Sequence, residues 1–174
     1  MYLVQTISRK GFQKSSLIDI GSYIAGFTDG EGSFNVSIKK RKDYVGDWKI
    51  SASFNISQKD RVILEFIKQT LECGTIRERN DGVVYYEVTD IASLQKKIIP
   101  FFKRYYFLSE RKAKNFSIFT NIVLLMFLKK HLSKDGKRKI LELREILNEG
   151  RGRKRKYNLK DCMEESSETI RKTG

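Results

Sequence analysis

One short segment, residues 22–34, constrains this chain more than any other. It reads Ser-Tyr-Ile-Ala-Gly-Phe-Thr-Asp-Gly-Glu-Gly-Ser-Phe, and an alternating stretch starts directly after it. Gly26 and Gly30 are four residues apart, so they lie on one face of a helix. Glycine inside a helix costs about 1 kcal/mol relative to alanine, so two of them indicate close contact with another backbone. We predict a helix over residues 20–29 that is N-capped by Asp19.

Two carboxylates, Asp29 and Glu31, stand at the end of this predicted helix. A carboxylate is unfavourable there because the helix dipole is already negative at its C-terminus. A divalent cation would resolve the conflict, since carboxylates, carbonyl oxygens and water are the ligands of Mg²⁺ and phosphate oxygens can complete its shell. An ordinary helix end with solvated carboxylates is the alternative that these residues leave open.

Two stretches of period-two alternation follow the motif and predict a β-hairpin. Apolar residues occupy every second position of residues 34–38 and again of residues 48–56, with polar residues between them. Residues 43–47, which include a glycine, provide the turn. Each strand therefore has one apolar face and one face of hydroxyl, amide and lysine side chains.

A second helix and a second hairpin are predicted next. Ser57 and Asp60 form a capping box for a helix that Gly74 terminates. Alternation over residues 75–79 and 84–89, on either side of an Asn-Asp-Gly turn, predicts the hairpin.

Three more helices are expected over residues 91–97, 109–130 and 136–148, and Pro100 should kink or end the first of them. The order αββαββα with extra C-terminal helices predicts an α+β fold, in which helices cover one side of a four-stranded antiparallel sheet. The predicted organisation is an N-terminal lead-in over residues 1–18, a folded domain over 19–149, and a basic flexible tail over 150–174.

The charge balance predicts a polyanionic partner. Lysine and arginine total 35 against 21 acidic residues, which gives a net charge of +14. Nucleic acid is the default partner for such a chain. The longest apolar run, residues 118–128, is shorter than the ~20 residues that cross a membrane, so no membrane partner is expected.

The segment Ile24–Ser33 resembles the motif of the LAGLIDADG homing endonucleases, which reads aliphatic-Ala-Gly-Phe-x-Asp-Gly-acid-Gly-Ser. The order of predicted elements also matches that family's fold. The resemblance implies an intron-encoded DNA endonuclease active in intron homing, which makes Mg²⁺- or Mn²⁺-dependent double-strand breaks in a long pseudo-palindromic target. A single motif implies a homodimer.

The same resemblance assigns roles to individual residues. Glu31 is the expected metal ligand, with the Gly30 carbonyl beside it, and Gln58 is expected to position the attacking water. Lys112, with Arg111 as second choice, is the expected catalytic cation. The expected dimer interface consists of Ala25, Gly26, Asp29 and Gly30, with Asp29 capping the partner's motif helix.

The polar face of the sheet is the expected binding surface for double-stranded DNA, because hydroxyl, amide and basic side chains read base edges and hold phosphates. Any water-facing antiparallel sheet alternates in this way, so solvation alone is the alternative reading of the pattern. The candidate residues are Ser33, Asn35, Ser37, Lys39, Arg41, Lys49, Ser51, Ser53, Asn55, Arg77, Arg79, Tyr85, Glu87 and Thr89.

Two other functions stay open at this stage. One is an intron maturase of the same fold, which would bind the RNA of a group I intron as a splicing cofactor. The other is a DNA-binding regulator that has lost cleavage. The expected location is intracellular, in a mitochondrion or chloroplast, because genes of this kind commonly lie in organellar introns.

Overall fold

The sheet has four antiparallel strands in the order β1-β2-β4-β3. The computed structural model describes residues 19–44, 47–149 and 155–168. The strands are β1 (Gly32–Lys40), β2 (Trp48–Gln58), β3 (Thr75–Glu78) and β4 (Val84–Val88). Both hairpins and the single four-stranded sheet confirm the predicted α+β fold.

Helices pack on one side of the sheet. They are α1 (Ile20–Glu31), α2 (Arg61–Leu71), α3 (Ile91–Ser93), α4 (Ile99–Arg104), α5 (Glu110–Phe127), α6 (Lys134–Ile146) and α7 (Leu159–Glu168). Within the described ranges, no helix has both the length and the apolarity that crossing a membrane requires.

Helix α1 runs into β1 without a loop. Asp19 caps the helix by accepting a hydrogen bond from the Gly21 N–H at 3.2 Å, as predicted. The N–H of Gly32 donates to the Thr28 carbonyl. A Cβ on Gly32 would lie 2.7 Å from that carbonyl oxygen, so only glycine fits where the helix becomes a strand. The junction therefore fixes Glu31 directly ahead of β1.

Phe34 is the centre of the hydrophobic core and is 1% exposed. Rings from β2, α4, α5 and the connection between the two helices surround it. Their centroids lie between 5.1 and 6.1 Å from that of Phe34, and they belong to Phe54, Phe102, Phe107, Phe116 and Phe119. The core thus joins the start of β1 to the helices that cover the sheet.

The predicted start of the second helix is wrong. Strand β2 continues through Ser57 to Gln58, and Asp60 is the N-cap, accepting from the Val62 N–H at 2.9 Å. The alternation of β2 is unbroken up to Gln58, and strand pairing with β4 outweighs the local capping signal.

Pro100 does not end its helix. A π-helical turn, Leu94–Ile98, joins α3 to α4, and Pro100 lies in the first turn of α4. The Ile99 N–H donates to the Leu94 carbonyl, five residues back. This wider turn accommodates the missing N–H, so the helical segment continues to Arg104.

Residues 155–168, part of the predicted basic flexible tail over 150–174, are folded onto the domain. Helix α7 forms there, Cys162 is fully buried, and the Tyr157 ring packs on Trp48 at 4.8 Å. Leu159, Cys162 and Met163 stand at i, i+3 and i+4 and pack on the core, but this apolar pattern is too short to outweigh the charge run before it. Residues 1–18 and 150–154, named as lead-in and basic run, lie outside the described residues.

Replacing Phe34 with alanine should lower the free energy of unfolding by about 3–5 kcal/mol, because a ring surrounded by aromatic neighbours leaves a cavity. Urea denaturation followed by circular dichroism measures the effect. Val62, which is 68% exposed on α2, provides the control, since Val62→Ala should change the value by less than about 0.5 kcal/mol. Equal effects of the two substitutions would contradict this description of the core.

Candidate functional site

The polar side chains of β1 and β2 form one continuous face. Antiparallel pairing places directly opposite residues on the same side of a sheet. The opposed pairs are Ser33 with Asn55, Asn35 with Ser53, Ser37 with Ser51, and Lys39 with Lys49. The structure therefore brings these predicted residues together on the face that the helices leave open.

This face extends across β4 to β3. Asn55 is opposite Glu87, which is opposite Thr75, and Tyr85 lies between Ser57 and Arg77. Thr75 and Ser57 also lie on this face but are not among the predicted residues. Their alternation with Arg77 and with Asn55 in the sequence indicates this position. Three candidates lie just beyond the strand ends, namely Arg41, Arg79 and Thr89.

Several basic side chains on this surface already have partners in the protein. Arg77 pairs with Glu87 on the neighbouring strand. Arg79 pairs with Asp81 at 2.9 Å and donates to the Tyr85 hydroxyl at 2.9 Å. Arg41 pairs with Asp43 at 2.7 Å in the β1–β2 turn. Exposed pairs of this kind are weak, so a phosphate can compete for the arginines.

Asp29 joins the end of α1 to the start of α5. Its carboxylate accepts hydrogen bonds from the Ser109 N–H at 3.0 Å and from the Ser109 hydroxyl at 2.5 Å. Burial acts to raise the pKa of Asp29, but the Ser109 hydrogen bonds and the charge of Lys112 hold it below its usual value. Asp29 thus has a role within the chain, and the expected capping of a partner's helix stays a prediction.

Of the two predicted cations, Lys112 lies closer to the carboxylates. Its half-buried ammonium donates to the carbonyl of Gly32, the residue that follows Glu31. Burial lowers the pKa of Lys112, Asp29 and Glu31 act in the opposite direction, and Arg111 lowers it further. Arg111 itself is exposed on the outside of α5.

Glu31 and Gln58 lie at the same end of the sheet. Gly32 is opposite Ile56, so Gln58 stands two residues beyond that pair, level with the end of α1. The Gln58 Oε1 accepts from the Lys59 N–H at 2.8 Å. Glu31 is exposed and has no ion-pair partner among the described residues.

This arrangement fits a divalent cation that the protein holds only in part, with water and phosphate oxygens as its remaining ligands. Within the described ranges, no cluster of three or more His, Cys, Asp or Glu residues could hold a metal by itself. Glu31 offers one free carboxylate at a helix end where backbone carbonyls also point outward. Hard oxygen donors of this kind, completed by water and phosphate oxygens, suit Mg²⁺.

The glycines of α1 divide into two groups. A Cβ on Gly21 would clash with the Tyr105 ring at 2.1 Å, so this glycine is required inside the chain. A Cβ on Gly26 or Gly30 would meet no described atom within 4 Å. Ala25 is only 3% exposed and packs in the core, although it also lines the groove beside this face, so its place in the dimer interface stays a prediction.

A shallow groove borders the open glycine face. Its lining consists of residues 22, 25, 26 and 29 on α1, Arg104 at the end of α4, and residues 105, 106 and 108 between α4 and α5. Two of its lining residues are large, apolar and exposed, Leu108 at 85% and Tyr106 at 73%, and Tyr23 on α1 is 46% exposed. Large exposed apolar residues grouped around a helix are typical of an interaction surface.

Comparison with known proteins points to one family. The family model of the LAGLIDADG endonucleases matches residues 24–123. Probable intron-encoded endonuclease 2 of Neurospora crassa is 40% identical over 133 residues, which cover 74% of this chain and 29% of that protein. DNA endonuclease I-CvuI of Chlorella vulgaris is 35% identical over 85 residues, which cover 46% of this chain and 53% of that protein. The matched regions are thus well under two thirds of these relatives.

Solved structures are similar over more of the chain. The archaeal intron-encoded homing endonuclease I-Vdi141I, complexed with DNA, has a TM-score of 0.79 and 32% identity, covering 85% of this chain and 94% of that one. I-SmaMI, bound to an uncleaved DNA target in the presence of calcium ions, has a TM-score of 0.71 and 30% identity. That match covers 76% of this chain and 46% of I-SmaMI.

Ser109→Ala should lower the free energy of unfolding by about 1 kcal/mol, because it removes the N-cap of α5 as well as a hydrogen bond to Asp29. Thermal and urea denaturation measure the loss. Ser117→Ala on the exposed side of α5 is the matched control and should have little effect. If both variants unfold like the original protein, the Asp29–Ser109 contact does not stabilise the junction.

Proposed function

This chain belongs to the LAGLIDADG endonuclease family, and from this premise we propose that it is a homing endonuclease subunit. Two copies cut both strands of a long, pseudo-palindromic DNA site in a divalent-metal-dependent reaction. The observation that carries the proposal is the junction at Glu31, which joins a free carboxylate to the polar open face of the sheet.

The dimensions of the open face fit duplex DNA. Strand β2 has 11 residues, which span about 36 Å at 3.3 Å per residue. This length corresponds to roughly ten base pairs, and a two-stranded ribbon fits the ~12 Å wide major groove. The DNA complexes of I-Vdi141I and I-SmaMI support duplex DNA as the partner.

The residues near the junction supply the parts of a phosphodiester hydrolysis. Glu31 and the Gly30 carbonyl would hold Mg²⁺ or Mn²⁺, and such an ion supplies charge neutralisation and an acidified water. The Lys112 ammonium lies beside the carboxylates, where it stabilises negative charge on the attacked phosphate. Gln58, at the same end of the sheet, orients the attacking water through its amide.

Homodimerisation is supported by the open face of α1. Gly26 and Gly30 meet no described atom on that face, and their cost within the helix has no explanation within the described chain. A second α1 helix packed there would bring two Glu31 carboxylates to the base of one interface, so that each can serve one DNA strand. Coverage of 46% of I-SmaMI supports the view that one copy forms half of the enzyme.

The names of several relatives support an intron-encoded protein. One is a protein in ND4 intron 1 of Podospora anserina, and another is a cox1 intron-2 protein of Schizosaccharomyces pombe. We infer that this chain is encoded in an organellar intron and acts in a mitochondrion or chloroplast. Intron homing is then its biological role.

Glu31→Gln should reduce cleavage of the target by at least about 100-fold while changing DNA affinity by only a few-fold, because it removes the free carboxylate and leaves the open face intact. A target selected from randomised duplexes with the original protein serves for both cleavage and binding assays. Glu65→Gln on α2 is the control, since its carboxylate pairs with Arg61 away from the junction.

Cleavage at the original rate by Glu31→Gln would overturn the assignment of the site. Selective duplex binding without cleavage by the original protein, with Mg²⁺ or Mn²⁺ present, would instead favour the inactive regulator. Binding confined to intron RNA would favour the maturase.

Gly26→Leu should convert the dimer into a monomer without unfolding it, because the side chain projects into space that a partner helix would occupy. Leucine is also the better helix former, so the helix itself is not weakened. Sedimentation velocity measures the oligomeric state and circular dichroism the fold. Ala92→Leu adds similar bulk at an exposed position of α3 and should remain dimeric. A dimeric Gly26→Leu protein would exclude this interface.

A further inference from the structure

Strand β1 is one of the two edge strands of the sheet, and side chains contact its outer edge in place of another strand. The Asn148 Nδ2 donates to the Phe34 carbonyl at 2.8 Å. The Arg144 Nε donates to the Val36 carbonyl at 3.1 Å. Outer strands normally present unpaired backbone groups along such an edge. Side chains at the end of α6 and just after it therefore fix two backbone carbonyls on the outer edge of β1.

The two side chains that hold this edge are themselves fixed. Arg144 is 6% exposed, and its Nη1 also donates to the Tyr157 carbonyl at 3.0 Å. The Asn148 N–H donates to the Asn115 Oδ1 on α5 at 3.0 Å. The edge of β1 is thus tied through Arg144 to the C-terminal segment and through Asn148 to the helix that carries Lys112.

The C-terminal segment also supports the far end of the β1–β2 hairpin. The Tyr157 ring meets Trp48 edge-on at 4.8 Å, and Trp48 is opposite Lys40 at the end of β1. Arg155 fastens the segment by donating to the Leu147 carbonyl at 2.6 Å and to Glu145 at 2.9 Å. The C-terminal segment therefore contacts β2 at Trp48, and α6 with the residues after it holds β1 at Phe34 and Val36.

A buried guanidinium is an expensive way to stabilise a fold. Replacing buried ionic groups with apolar ones of similar volume is often neutral or stabilising. Unlike an apolar residue, Arg144 forms directional contacts, because each of its hydrogen bonds fixes the distance and angle of a carbonyl group. The consequence is a β1 backbone with a defined position, although only β2 pairs with it.

We propose that Arg144 and Asn148 are positioning residues for DNA recognition, a statement that rests on the proposed function. Asn35, Ser37 and Lys39 project from β1 onto the open face. Discrimination between bases through hydrogen bonds requires donors and acceptors in the correct place. If β1 can shift sideways, the protein loses selectivity at the base pairs beneath β1. Its selectivity at the base pairs beneath β3 and β4 is retained.

The experiment compares base selectivity and backbone protection in Arg144→Met and in a control of similar stability cost. Methionine fills the space but cannot hydrogen-bond to the Val36 and Tyr157 carbonyls. Ile67→Val, a fully buried substitution on α2, is the control. Each protein selects its target from randomised duplexes, and amide hydrogen exchange is measured along β1.

Arg144→Met should lose about tenfold selectivity at the base pairs beneath β1 and keep selectivity beneath β3 and β4. Amides of β1 should exchange faster than in the original protein, and Arg144→Lys, which retains one donor, should recover part of both properties. Ile67→Val should change neither.

If the original protein selects a target, the positioning role is overturned by either of two results for Arg144→Met. One is unchanged selectivity at the base pairs beneath β1, and the other is an equal loss of selectivity at all positions. The same holds if Ile67→Val behaves like Arg144→Met. An original protein that selects no duplex at all, but shows the exchange effect of Arg144→Met, would overturn the proposed function and with it the role in recognition.

Discussion

Two hydrogen bonds of the Gly32 backbone fix the junction of α1, β1 and α5, on which the rest of the site depends. Its N–H donates to the Thr28 carbonyl of α1, and its carbonyl accepts from the Lys112 ammonium of α5. The residue therefore joins two helices at the first position of β1. Since it is also opposite Ile56, the sheet register begins from the same point. A shift at Gly32 would therefore move the two carboxylates, Lys112 and strand β1 together.

This junction explains why two open surfaces meet at one place. The polar sheet face begins at Ser33, immediately after the junction, and the open glycine face of α1 ends at Gly30, immediately before it. Glu31 stands between them and belongs to both. A duplex on the first surface and a second subunit on the other would therefore converge on the same carboxylate, as a two-strand cut requires.

Periodicity and local chemistry predicted much of this arrangement, and long-range contacts account for what they missed. Alternation in the sequence defines which side chains share a face, so the open face was predictable. The contact of Asp29 with Ser109 and the burial of Ala25 were not predictable, because each depends on what packs against α1, and Ser109 is 80 residues away from Asp29 in the chain. The hydrogen bond from Asn148 to the Phe34 carbonyl joins residues 114 positions apart, so no local sequence pattern predicts it.

The charges at the junction form one coupled group. Burial favours the neutral form of Lys112, whereas Asp29 and Glu31 favour its charged form. A substitution at Glu31 therefore changes the electrostatic environment of Lys112, and the effects of substituting both residues need not add. A phosphate that approaches the site adds negative charge next to the ammonium and strengthens its protonation. A divalent cation bound at Glu31 would act on the pKa of Lys112 in the opposite direction.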